Sequence, residues 1–353
     1  MFNNYNLKMY VNKYNRNHSN FGIQLLRILL AFWVVTAHCY YPVHSKNILH
    51  FYKSNKFHVP TFLLITYYFY YNKLIKKDIT KINQRFVRLF IPYIIWPFIF
   101  LLINNLCHNL FNFQQFFRKI NAKDYFIQII IGRGYYSYFW FMNILLFGTF
   151  LFTIISFIFH KHFLFILQLL GLISYRIHLS PFYNHLTVKD FAFVQTELIL
   201  FIEMMPISVF GLTFGAKNIM YILKNQYIKH IIIQVFLLYY VINLDIFREH
   251  QGFLYQSIEK NTIGAINLFI IFSIFPFENV LNQRIIDIIK IFSNHTGGIY
   301  YLHAFSKFYL GKKIIFVKNK TLFGCFIIII FCYFICFFGS KLFKKTILKN
   351  LFI

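Results

Sequence analysis

The sequence has few acidic side chains and a low total of charged residues. Of its 353 residues, 10 are Asp or Glu, and 13% of the chain is charged, whereas soluble domains contain about 25% charged residues. Hydrophobic residues make up 58% of the chain. A soluble domain of this length could not bury so much apolar surface in one core, and disordered chains contain few apolar residues. The composition therefore excludes both classes and indicates an integral membrane protein.

Cysteine is also scarce, and its positions indicate no redox or metal chemistry. The five cysteines include no C-x-x-C pair and no cluster with histidine at the spacing of a zinc site. Four of them lie in or beside apolar runs, where cysteine packs as a small hydrophobic residue. The chain also lacks internal repeats, flexible linkers and an appended polar domain. We therefore expect one membrane domain that uses no metal.

Basic residues are abundant, and 36 Lys and Arg give the chain a net charge of +26. An excess of this kind can serve nucleic-acid binding, because basic patches neutralise phosphates. Here the basic residues lie between apolar runs, and no groove-reading motif accompanies them. Basic loops beside apolar segments are typical of membrane topology. We expect membrane lipids as partners, no nucleic acid, and an attraction for anionic substrates.

Ten apolar runs are close to the length of about 20 residues that a membrane-spanning helix needs. The first run, 21–40, follows a polar segment and has no signal-peptide cleavage site behind it. The other nine are approximately 59–72, 86–107, 138–159, 163–179, 196–215, 228–245, 262–277, 297–311 and 321–339. The sequence therefore predicts an all-α integral membrane protein with about ten transmembrane helices.

The distribution of Lys and Arg predicts the orientation of these helices. Slightly more of them lie on the side of the N-terminus than on the opposite side. Because basic loops remain in the cytoplasm, both termini are predicted to be cytoplasmic. This divides the chain into an N-terminal tail, 1–20, a membrane domain, 21–340, and a C-terminal tail, 341–353.

Two ionisable residues in the first run, Arg27 and His38, are candidates for function. They are eleven positions apart, which is close to three helical turns, so they share one helix face about 16 Å apart. An ionisable side chain inside a membrane is costly unless it is paired or functional. Each residue alone could instead be a boundary residue, with Arg27 reaching the headgroups and His38 capping the outer end.

The frame of this pair resembles a known family, and further segments continue the resemblance in order. The frame is LR...A..VV..H, beginning at Leu26 and ending at His38. The other segments are 59–62 (VPTF), 84–96 (QRFVRLFIPYIIW), 138–141 (YFWF) and 298–303 (GIYYLH). Together they are similar to the acyltransferase 3 family of integral membrane O-acyltransferases, of the type that acetylates polysaccharides and glycolipids. The similarity extends from about 21 to 340.

The resemblance implies transfer of an acyl group, usually acetyl from acetyl-CoA, to a hydroxyl of a cell-surface glycan or glycolipid. His38 would be the general base. Arg27, Arg85 and Arg88 would bind the phosphates of the acyl-CoA co-substrate, since guanidinium groups pair well with phosphate. The protein would then be a multi-pass enzyme of a bacterial cytoplasmic membrane, involved in modifying cell-envelope polysaccharide.

The sequence departs from the family pattern at three places. The usual Ser-Gly of the second span is replaced by Thr66 and Tyr67. Gln24 stands in place of an acidic residue, and the paired arginine before the third span is reduced to Gln84 and Arg85.

Three further residues, His303, Glu197 and Trp140, are site candidates with ordinary alternatives. His303 could be a hydrogen-bond partner between helices. Glu197 could pair with a buried base or lie at a membrane boundary. Glu203 is six positions from it, which places the two carboxylates on different helix faces and argues against a two-carboxylate glycosidase. Trp140 could stack on a sugar or belong to the interfacial aromatic belt.

A different class of function remains open from the sequence alone. Intramembrane charges and a basic surface would also suit a polytopic carrier or flippase for a lipid-linked or polysaccharide substrate, without covalent chemistry. Such a carrier has no need of a phosphate anchor three turns from a buried base. No pair of Gly- or Pro-broken runs at matched positions indicates an inverted-repeat transporter.

Overall fold

The computed structural model describes residues 20–39, 56–106, 140–178, 192–224, 226–243, 256–311 and 314–353. These residues form helices and turns, and no β-strand occurs among them, so the all-α class is confirmed. The long helices are α1 (Phe21–Cys39), α2 (His58–Ile75), α3 (Ile79–Leu106), α4 (Trp140–Ile158), α5 (Phe163–His178), α6 (Ala192–Lys217), α7 (Tyr227–Asn243), α8 (Gln256–Ile274), α9 (Thr296–Gly311) and α10 (Leu322–Leu342).

Each of these long helices overlaps one of the apolar runs, and the ends differ by at most seven residues, the largest difference being at the start of α3. Among the described residues, three helical segments are both long and apolar enough to cross a membrane: Phe21–Cys39, Phe141–Ile158 and Leu322–Leu342. They support a membrane protein. The number of about ten spans, and the orientation with both termini in the cytoplasm, stay predictions.

The helix α2 lies in the interior and carries the largest buried side chains. It packs against α6, α8, α1 and α4. Leu63, Tyr67 and Tyr70 of α2 are completely buried. The helix α1 packs in turn against α2, α8, α9 and α10. Several polar side chains of α1 and α2, among them Thr36, His58 and Thr61, are therefore buried between helices, where polar groups can form a site.

The outer surface of the helices is apolar. Phe165 of α5 is 67% exposed, and Phe236 of α7 is 70% exposed. Large apolar side chains exposed in this way are unfavourable in water but match the hydrocarbon interior of a bilayer. The exposed faces of these helices therefore fit a lipid environment.

The C-terminal segment folds back onto the bundle. Its 3-10 helix, Ile347–Phe352, buries Leu351 and Phe352. The indole nitrogen of Trp96 in α3 donates a hydrogen bond to the Leu351 carbonyl over 3.1 Å. The Nδ1 nitrogen of His295 donates to the Phe352 carbonyl over 2.8 Å. Much of the predicted tail, 341–353, is thus docked against the helices.

A close approach of α1 to α8 depends on Gly22. A Cβ atom at this position would collide with the backbone carbonyl of Phe272. We expect Gly22→Ala to destabilise the protein by roughly 1–3 kcal/mol, because the two backbones must separate. Thermal unfolding in detergent, followed by circular dichroism, measures this effect.

Gly171→Ala is the matched control for that change. A Cβ at Gly171 would lie 3.4 Å from the Cβ of Val209, which is an ordinary contact. Its unfolding temperature should equal or exceed that of the native protein, because alanine favours a helix more than glycine does. Equal unfolding temperatures for Gly22→Ala and Gly171→Ala would contradict the close approach.

Candidate active site

Three histidines from three helices lie near one another. His38 is in the last turn of α1, His58 begins α2, and His303 is in α9. The rings of His38 and His303 are stacked, with centroids 5.4 Å apart and planes at 25°. His58 is close enough to His38 for the two rings to interact electrostatically. We call these three residues the histidine cluster.

The position of His303 is fixed by its own helix. The ring is fully buried, and its Nδ1 nitrogen lies 2.6 Å from the Tyr300 carbonyl. A carbonyl only accepts hydrogen bonds, so Nδ1 carries the proton and Nε2 holds the lone pair of the neutral ring. Across the described ranges, no three His, Cys, Asp or Glu side chains are grouped so that they could hold a metal ion.

A lysine borders the histidine cluster. The ammonium of Lys307 donates a hydrogen bond to the backbone carbonyl of His38 over 2.6 Å. Lys307 follows His303 by one helical turn in α9, and its charge interacts with both the His38 and His303 rings. The bond ties the C-terminal end of α1 to α9 through a backbone atom of the proposed base.

Arg27 and His38, both in α1, contact the same neighbouring helix, α9. Its Nη2 nitrogen donates to the hydroxyl of Thr296, the first residue of α9, over 3.1 Å. His38 contacts His303 farther along α9. Both side chains of α1 therefore face α9, as the eleven-residue spacing predicts.

A second site surrounds Arg85, which is half-buried. Its Nε nitrogen donates to the Thr149 hydroxyl of α4 over 3.2 Å. The guanidinium carbon lies 4.3 Å from the ring centroid of Tyr70 and 5.8 Å from that of Tyr67, both in α2. Such contacts with aromatic faces stabilise a cation. We call Arg85, Tyr67, Tyr70 and Thr149 the arginine cradle.

One guanidinium nitrogen of Arg85 makes no hydrogen bond to the described residues. The Nη2 nitrogen is buried and has no hydrogen-bond partner among the described residues. A buried donor without a partner is costly, and a charged donor more so. The cradle is therefore a place where a phosphate or another anion would satisfy a guanidinium nitrogen.

The cradle contains one of the departures from the family pattern. Tyr67 stands where the family usually has glycine, and its hydroxyl lies 3.4 Å from the Leu145 carbonyl of α4. A Cβ atom at Gly148 in α4 would collide with this hydroxyl. The larger side chain in α2 is thus accommodated by a glycine in the neighbouring helix.

Arg88 lies at the margin of the cradle. It is exposed, as is Gln84. The charges of Arg85 and Arg88 both act on Lys73, in the last turn of α2. Arg88 therefore belongs to an exposed basic surface beside the half-buried Arg85.

The remaining candidates are less defined. Glu197 lies in α6 and Trp140 begins α4, but their side chains are outside the part of the chain that the structure describes. Glu203, also in α6, is half-buried. The structure thus gives no position for either candidate side chain relative to the histidine cluster.

Several residues of these sites were not found by reading the sequence. They are His58, Tyr70, Thr149 and Lys307, while Tyr67 was noted only as a departure from the family pattern. A signal existed for Lys307, which is a charged residue within an apolar run. Tyrosine and threonine in a chain this rich in aromatic residues carry no such signal, and their role depends on which helices are neighbours.

Comparison with known families identifies the chain. The model of the acyltransferase 3 family, described as an acyltransferase domain, matches residues 20–341. The chain therefore belongs to this family, and the resemblance seen in its motifs is confirmed. Comparisons with curated proteins and with solved structures give no match. The family establishes a membrane acyltransferase that uses an acyl donor.

Proposed function

We propose that this protein transfers an acetyl group from acetyl-CoA to a hydroxyl of a cell-surface glycan or glycolipid. The observation that carries the proposal is the stacked pair of His38 and His303 inside a bundle of the acyltransferase 3 family. An imidazole is the side chain best suited to accept a proton near neutral pH. Its place between helices also limits access of water to a thioester.

His38 is the general base in this proposal. One of its ring nitrogens removes the proton of the acceptor hydroxyl while the oxygen attacks the thioester carbonyl. The carbon–sulfur bond then breaks, and the CoA thiolate takes the proton back from the imidazolium. The products are an O-acyl ester and free CoA, and the base is regenerated. His303 remains a site candidate beside it.

Arg27, Arg85 and Arg88 bind the phosphates of acyl-CoA in this proposal. The Nη2 nitrogen of Arg85 is buried and has no hydrogen-bond partner in the described ranges, which supports the role of this residue. Arg88 lies on the exposed side of the same helix and offers a first contact for an incoming polyanion. Arg27 is held by Thr296 on the helix that carries His303, so a donor bound there lies along α9 toward the histidine cluster.

The setting proposed for the reaction is a bacterial cytoplasmic membrane. Both termini face the cytoplasm, which supplies acetyl-CoA, and the acceptor belongs to the polysaccharide of the cell envelope. The predicted excess of Lys and Arg on the side of the termini supports this orientation.

An assay with purified protein in liposomes distinguishes transfer from transport. The protein is incubated with acetyl-CoA and a glycolipid extract, and free CoA thiol is measured over time. We expect thiol release that depends on both the protein and the extract. Movement of glycolipid across the bilayer without thiol release, in protein shown to be folded, would favour a carrier instead.

A further inference from the structure

The end of the bundle that holds the histidine cluster also carries positive charge. Lys307 is half-buried, and its partner among the described residues is a carbonyl and not a carboxylate. Lys56, two residues before His58, is an exposed lysine at the same end of α2. A cation held among membrane helices is costly, and it normally pairs with an opposite charge or with backbone carbonyls. An anionic group would add a stronger, charge-assisted partner to the single carbonyl contact of Lys307.

The phosphates of CoA are poorly placed to be that partner. In the proposed function they lie at Arg27 and Arg85. His38 is eleven residues from Arg27 along α1, which is about 16 Å. Tyr67 of the arginine cradle is nine residues from His58 along α2, or about 13 Å. The donor phosphates and the ammonium of Lys307 thus belong to different parts of the site.

The bonding of Lys307 leaves room for a ligand. An ammonium has three N–H donors, and the His38 carbonyl accepts one of them. Because that acceptor is a neutral backbone atom, this bond holds the ammonium beside His38 without bringing a negative charge to it. An anionic group bound there would lie next to the base.

His58 gives a second, independent sign of a ligand. It is 7% exposed, and its Nδ1 nitrogen is buried without a hydrogen-bond partner in the described part of the chain. A buried ring nitrogen of this kind normally pairs with a protein group, water or ligand. A sugar hydroxyl could donate to it or accept from it, since the ring can adopt either tautomer.

We propose that the acceptor is an anionic glycan whose carboxylate or phosphate binds Lys307 while a neighbouring hydroxyl faces His38. This inference rests on the proposed function and names its substrate class. Lys307 is then a specificity residue that touches the acceptor. His58 orients the same sugar through a hydroxyl.

The test compares three alkyl glycosides that differ in charge. They are an alkyl glucoside, the corresponding glucuronide and the corresponding glucose phosphate, each offered with labelled acetyl-CoA to the full-length protein in nanodiscs. We expect both anionic acceptors to be acetylated with a KM about tenfold lower than the glucoside, which is the effect of one charged contact. A preference for the phosphate alone, or the glucuronide alone, would identify the anion.

Substitutions of Lys307 test its role directly. Lys307→Met should raise the KM for the anionic acceptors about tenfold more than the KM for the glucoside, and Lys307→Arg should keep the preference for the anionic acceptors. Lys229→Met is the control, because Lys229 is an exposed lysine of α7. An equal loss of transfer to charged and neutral acceptors would overturn the proposal. Lys307 would then act only by holding the histidine cluster in place.

Equilibrium dialysis separates this inference from the proposed function. Binding of radiolabelled glucuronide is measured without acetyl-CoA, for the native protein and for Lys307→Met. If the native protein binds the glucuronide more tightly than Lys307→Met does, the anion site is supported, even if no acetyl transfer is observed. Equal binding of glucuronide and glucoside to the native protein would overturn the anion site even if acetyl transfer were observed.

Discussion

Replacing His38 with alanine reduces acyl transfer by about 10²–10⁴-fold in our account, because this is the usual contribution of a general base. The fold should survive the change. His38 is half-buried at the end of α1, and Lys307 bonds to its backbone carbonyl, which alanine retains. Turnover of acetyl-CoA and the unfolding temperature, measured on the same preparation, separate the two effects.

His162→Ala is the matched control for this prediction. His162 is an exposed histidine in the turn between α4 and α5, so its loss should leave turnover unchanged. His303→Gln should also reduce transfer, because the ring that stacks on His38 is lost. A His38→Ala protein with native turnover would remove His38 from the chemistry.

Replacing Arg85 with glutamine has the second large effect, and it falls on the donor. Hydrogen bonds to charged groups contribute about 1.5–3 kcal/mol, so the KM for acetyl-CoA should rise by about 10–100-fold. The KM for the acceptor should stay within about twofold, because the arginine cradle is separated from the histidine cluster along α2. Initial-rate kinetics with each substrate varied in turn give both constants.

Two other variants refine the role of Arg85. Arg85→Lys keeps the charge but loses the planar fork and the ring contacts, so a smaller rise in the KM for acetyl-CoA is expected. Arg88→Gln should have a still smaller effect, because Arg88 is exposed. Equal increases of the donor and acceptor KM values in Arg85→Gln would argue against the phosphate role.

The sequence could predict the helices because their signal is local. Long apolar runs fix where a helix forms, and the helices observed begin and end close to the predicted bounds. It also predicted that Arg27 and His38 share a face, since the period of a helix determines which residues lie together. Both contact α9 in the structure.

The contacts between helices could not be predicted in the same way. His38 and His303 are 265 positions apart, and their stacking depends on α1 lying beside α9. Helix packing within a membrane is determined by the shapes of facing side chains, which leave only a weak pattern in one sequence. The family motifs indicated that both histidines matter, but not that they touch.

The arginine cradle illustrates the same limit. The motif around Arg85 predicted a phosphate contact, yet its neighbours come from α2 and α4. The replacement of the family's glycine by Tyr67 is interpretable only when Gly148 is seen to leave space for its hydroxyl. Tyr67 and Gly148 are 81 positions apart in the sequence, so their contact could not be predicted without the structure.

The most direct test of the account follows the acetyl group itself. Purified native protein, His38→Ala and His162→Ala are each incubated with ¹³C-labelled acetyl-CoA and glycolipid, and the products are analysed by mass spectrometry. We expect the native protein and His162→Ala to form a labelled, hydroxylamine-sensitive ester on the glycolipid, in an amount equal to the CoA released. We expect no such ester with His38→Ala. An ester formed equally well by His38→Ala, or no ester with folded native protein, would contradict it.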